Sequence, residues 1–158
     1  MRHHHRSHQL HITRFAIIII TAGALSLLGS CYSSDYHRGV VANARLLRDL
    51  AGKLEDYCKA DFNLGGRQVS SEEMGEFYYA LKKARSFAEL ERDRSSQRAS
   101  YREFLILLDD YQNFVAAADR YRLDPHHSRD DLQKVLQHAD AVRQQAERVL
   151  ASALAERT

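Results

Sequence analysis

Apolar residues recur along most of this chain at alternating spacings of three and four. A first segment places Val40, Ala44, Leu47, Ala51, Leu54 and Cys58 on that grid. A second places Met74, Phe77, Leu81, Ala84 and Ala88 there, and a third Tyr101, Phe104, Leu108, Tyr111, Val115 and Ala118. The fourth runs through Leu132, Val135, Ala139, Val142, Ala146, Val149 and Ala153. A period near 3.5 is the seam of helices that pack with a left-handed, coiled-coil-like twist. Val41, Leu50, Tyr57, Tyr78, Leu105, Phe114, Leu136 and Leu150 widen each seam toward the broader stripe of a globular bundle. The pattern predicts helices over about 34–60, 71–94, 100–122 and 129–156.

The helix ends carry their own signals. Ser70 stands three before Glu73 and Ser100 three before Glu103, the spacing at which hydroxyl and carboxylate satisfy the first amides of a helix reciprocally. Ser128 and Asp131 offer a shorter version of the same device. Gly65-Gly66 marks the first turn and Asp124-Pro125 the third. Short turns between long helices make sequential helices antiparallel neighbours, so the expected fold is all-α, an antiparallel up-down four-helix bundle.

The first 31 residues follow a different logic. Arg2, Arg6 and Arg14 precede the apolar run 15–28, and no acidic residue occurs before Asp35. The run is too short to span a bilayer, which takes about 20 apolar residues. A positive start, a short apolar stretch and small residues before a cleavage point describe an export signal. Its ending, Leu28-Gly29-Ser30-Cys31, resembles the lipobox of bacterial lipoprotein signal peptides. That resemblance implies removal of residues 1–30, acylation of Cys31 as the mature N-terminus, and a single helical domain over 31–158. It also implies a lipid-anchored envelope protein. With Tyr32 and Ser33 rather than aspartate after the cysteine, the periplasmic face of the outer membrane is favoured where the host has one.

Processing changes the charge. The whole chain of 158 residues has 23 Lys and Arg against 21 Asp and Glu, a formal +2. The leader takes three arginines and no acid with it, leaving 128 residues at −1. A nucleic-acid partner has no support in that balance. The two cysteines are Cys31 and Cys58, so acylation of the first leaves Cys58 without an intramolecular partner. On the seam near a helix C-terminus, Cys58 is expected to be a small buried core residue, because that end of a helix disfavours a thiolate.

The sequence carries no recognisable catalytic or cofactor motif. The chain has no Cys-x-x-Cys-His, no Glu-x-x-His, no glycine-rich phosphate loop and no His-Glu-x-x-His. The imidazoles nearest to a metal set are His126, His127 and His138, beside Asp124, Asp130 and Asp131. Adjacent loop histidines tend to point apart, however, and no metal or other cofactor is expected. The reading is therefore non-enzymatic: a membrane-anchored helical interaction or assembly module with an envelope protein as partner. The alternative is a periplasmic bundle that binds a ligand or metal. In general build it is similar to the small helical lipoproteins called pilotins, a likeness that rests on no residue motif.

Four large apolar residues miss the seam. With the seam at positions a and d, Leu46 and Leu90 fall at c, and Tyr79 and Ile106 at f, positions that point outward. Together they are the expected partner surface. Arg92, Arg94, Arg98 and Arg102 crowd the turn between the second and third helices with Asp93 as the only acid, at the end where the first helix begins. The opposite end gathers Asp61, Asp124, Asp130 and Asp131. The arginine turn is thus expected to face anionic headgroups.

Overall fold

The computed structural model describes residues 35–63 and 68–157. The leader, Cys31 and the Gly65-Gly66 turn lie outside them. Four helices make up the described chain: α1 over 35–63, α2 Ser71–Ser95, α3 Ala99–Leu123 and α4 Arg129–Ala155. No strand occurs among the described residues, and no helix there is long and apolar enough to cross a membrane. The chain divides into two compact units at His37/Arg38, and the bundle is the second, Arg38–Thr158. Of the first unit, Asp35, Tyr36 and His37 are described. The Tyr36 and His37 rings meet edge to face with centroids 5.4 Å apart.

Cross-helix bonds establish a cyclic order of antiparallel neighbours. Lys53 of α1 pairs with Glu76 of α2 at 2.9 Å, and Tyr78 of α2 donates to Asp119 of α3 at 3.2 Å. Near the other end of the same pair, the Tyr101 hydroxyl donates to the Ala88 carbonyl at 2.9 Å. Gln145 of α4 donates to the Glu103 carbonyl of α3 at 2.9 Å. Arg48 of α1 meets Glu147 of α4 at 2.9 Å, and Glu55 of α1 meets Arg143, which closes the ring. Along α1–α4 and α2–α3, residue numbers rise on one helix as they fall on the other. This is the up-down-up-down bundle.

Every residue of the four a/d series is buried. The flanks divide: Phe114 is buried and Val41, Leu50, Tyr57, Leu136 and Leu150 are half-buried, while Tyr78 and Leu105 are exposed. Tyr111, Phe77, Phe104, Phe114, Leu47, Leu54 and Leu107 fill the middle. The void beside Cys58, Met74 and Tyr121 is only about 10 Å³, the space of a single water at most. Helix α1 approaches α2 so closely at Gly39 that a Cβ there would overlap the edge of the Phe87 ring. Phe87 is itself held edge-on against Phe104, with centroids 5.8 Å apart.

Two helix starts match their sequence signals and one does not. Ser70 and Glu73 form the expected capping box at α2. The shorter Ser128–Asp131 pair forms a full box at α4, where hydrogen bonds from Ser128 and the nearby Lys134 hold the Asp131 carboxyl down at about 2. The Ser100–Glu103 box does not form. A tight turn, with Arg98 N–H donating to the Ser95 carbonyl at 2.9 Å, places the cap of α3 at Arg98, two residues before Ser100, and the Arg98 side chain makes no capping bond. Ser100 instead donates from its amide (2.8 Å) and its hydroxyl (2.7 Å) to Glu156 beyond the end of α4. Glu103 accepts from Gln145 at 2.6 Å. The amide expected to be capped within its own turn is satisfied from 56 residues away.

Candidate interaction surfaces

The bundle interior is occupied by its own side chains, so the chemistry on offer is external. Tyr79 is 68 % exposed, Leu90 79 %, Ile106 49 % and Leu46 40 %. Helix geometry places them. Tyr78 and Arg85 reach α3, whereas Glu76 reaches α1. At about 100° per residue, Tyr79 lies beyond Tyr78 on the side turned away from α3, and Leu90, eleven residues on, is only about 20° further round. Leu46 is one heptad before Lys53, the residue that bonds α2, and so shares its side of α1. Leu46, Tyr79 and Leu90 therefore border one side of the α1–α2 pair. Ile106 does not join them. It stands on the outer face of α3, between Asp109, which turns to α2, and Glu103, which turns to α4. The four residues that the heptad pattern turns outward thus form a three-residue strip and a separate isoleucine.

The arginine turn is also divided. Arg98 lies 3.9 Å from Glu156, so part of its charge is balanced at the bundle end. Arg94 is exposed and sits two residues round α2 from Arg92, on the side of Glu76 rather than of Arg85. Arg92 and Arg102 converge, one from each helix, on a groove of about 500 Å³ between α2 and α3. Ala88, Leu105 and Leu108 line its apolar part, and the Tyr101 ring forms a wall that its hydrogen bond to Ala88 holds in place. Arg85 lines the far end but is engaged by Gln112 and by Asp109 at 3.5 Å.

At the opposite end, cations stand among the acids Asp61, Asp124, Asp130 and Asp131. Arg122 pairs with Asp119 at 2.7 Å and Lys134 with Asp131 at 3.1 Å, and Arg120 and Arg129 stand beside them. The histidines do not converge. His127 Nδ1 is 2.8 Å from the Asp124 carbonyl, its Nε2 is 3.7 Å from Asp61, and its ring lies against Tyr121. His126 is exposed and its amide donates to Asp124, and His138 lines a separate polar pocket with Arg120 and Lys134. Among the described residues, no three His, Cys, Asp or Glu side chains are grouped to hold a metal ion.

Cys58 is buried, and burial pushes its thiol up to about 12, with Asp61 and Glu55 adding to the rise. A protonated thiol is a poor nucleophile, and its place here is that of a small core side chain. Burial alone would also raise Glu55, but Arg143 and Lys59 together hold its carboxyl below the usual range. Compared with known proteins, the chain matches no family model, no curated protein and no solved structure.

Proposed function

We propose that this chain is a lipid-anchored envelope protein that acts as a non-enzymatic helical interaction module. On this reading Cys31 carries the anchor, the partner is another envelope protein, and the arginine turn faces the anchoring membrane. The observation that carries the partner side is the exposure of Tyr79 and Leu90 on one strip of α2, flanked by Leu46, beside a fully occupied core. Single exposed leucines are ordinary, but large apolar residues aligned along one helix are what a partner helix or groove recognises. The lipobox-like leader supports the anchor. At most three residues lie between Cys31 and the first described residue of α1, a tether of about 10 Å at full extension.

The test compares the full chain with Tyr79→Ser/Leu90→Ser in capture of proteins from solubilised envelope membranes. The double variant is expected to keep the parent stability to within about 0.5 kcal/mol, as exposed positions do, and to lose a protein that the parent retains. A stability loss of several kcal/mol, or equal capture by both proteins, refutes the partner strip.

A further inference from the structure

We propose that the groove between α2 and α3 binds one anionic phospholipid. Its phosphate is held between Arg92 and Arg102, and the first part of an acyl chain lies on Ala88, Leu105 and Leu108. The inference deepens the membrane-facing part of the reading above and does not involve the α1–α2 strip. Three observations select this occupant. The first is charge: Arg92 and Arg102 have no ion-pair partner among the described residues, whereas Arg85 at the far end is already engaged by Asp109 and Gln112. The cationic end is therefore the end at the turn, and Ser96 adds a hydroxyl there.

The second is the apolar part. Leu105 is 40 % exposed inside the groove, and covering it is favourable only for a ligand with a hydrocarbon portion. Free phosphate would leave that surface wet. The third is size. From Arg102 to Asp109 the groove runs two helical turns, about 10 Å, which suits a headgroup and a short length of chain but not the several turns by which a partner helix is gripped. Glu89 lies one turn of α2 from Arg92 and opposes a second negative charge, so a headgroup with a single charge is preferred. Around the groove three guanidiniums face two carboxylates.

Native mass spectrometry of the full chain in a non-ionic detergent tests this with phosphatidylglycerol and phosphatidylcholine as probes. The parent is expected to retain one phosphatidylglycerol, at least about tenfold in preference to phosphatidylcholine, given two charge-assisted contacts. Arg92→Gln/Arg102→Gln should lower retention to the phosphatidylcholine level. Leu105→Asp should also abolish it with the thermal unfolding temperature unchanged, and Leu105→Gln serves if the aspartate variant is less stable. Millimolar inorganic phosphate should not displace the lipid. Equal retention of the two lipids, retention unaffected by either set of substitutions, or displacement by phosphate overturns the lipid site. Retained lipid together with no preference for anionic over neutral vesicles would leave the site standing and refute only the orientation on the membrane.

Discussion

At the residue scale, the core contains one polar group whose removal should help. The Tyr111 hydroxyl is buried and has no hydrogen-bond partner among the described residues, while its ring packs edge-on to Phe114 at 6.3 Å. The ring contributes apolar burial, but the hydroxyl has lost water without gaining a replacement. Tyr111→Phe keeps the ring and deletes the unpaired group, so it should raise stability by about 1 kcal/mol in urea unfolding. A loss of that size would show that the hydroxyl has a partner. Cys58 and Tyr121 make a second, pH-dependent case. Burial lifts the thiol from 9.0 to about 12 and the phenol from 10.0 to about 12, so the unfolded chain releases both protons first. Their contribution is complete below about pH 9 and is lost as pH rises toward 12. Unfolding midpoints should fall between about pH 9 and pH 12, and Cys58→Ala should flatten that slope. An unchanged slope in the variant would assign the alkaline loss to other groups.

At the element scale, several contacts that align one helix with another come from positions outside the heptad grid. At Gly39 helix α1 lies against Phe87 of α2, which is braced by Phe104 and occupies the space a methyl would need. Glycine costs a helix interior up to about 1 kcal/mol relative to alanine, but forcing the ring aside costs about 1–3 kcal/mol. Gly39→Ala should therefore destabilise the bundle, and Gly39→Ala/Phe87→Leu should recover more than the sum of the two single changes allows. Additive effects in that double-mutant cycle would remove the close approach as the cause. Glu156 belongs to the same scale. It satisfies the Ser100 amide and hydroxyl at the start of α3 from beyond the end of α4, and so joins two helix termini that the sequence keeps far apart.

At the scale of the whole molecule, the proposed membrane-facing end and the proposed partner strip fall at different places on the bundle. Both the arginine turn and the start of the bundle's first helix lie at one end, and on the proposed reading so does the lipid. Cys31→Ser should then leave a chain that keeps its leader and gains no acyl mass, measured as intact mass from membranes. Cleavage at another residue with a free Cys31 thiol would remove the anchor. The strip on α1 and α2 and the groove between α2 and α3 are on different sides, so on the proposed reading a partner and a lipid do not compete.

What the sequence determined by itself is the set of helices and their inward faces. A period of three and four needs no partner to be read, and all 24 seam positions from Val40 to Ala153 are buried. The helix ends were legible to within a few residues because serine and acid at a spacing of three satisfy local amides, as at Ser70 and Ser128. The start of α3 departs from its sequence signal because a tight turn and Glu156 take the role that the Ser100–Glu103 spacing predicts. The flanks were legible only in part: Phe114 turned inward whereas Tyr78 and Leu105 stayed exposed, since what covers a flank is the neighbouring helix and not its own. For the same reason the tertiary structure alone divided the arginines. Arg92 and Arg102 line one groove from two helices and Arg98 finds Glu156, because charges far apart in the chain become neighbours only when the antiparallel register of the helices is set.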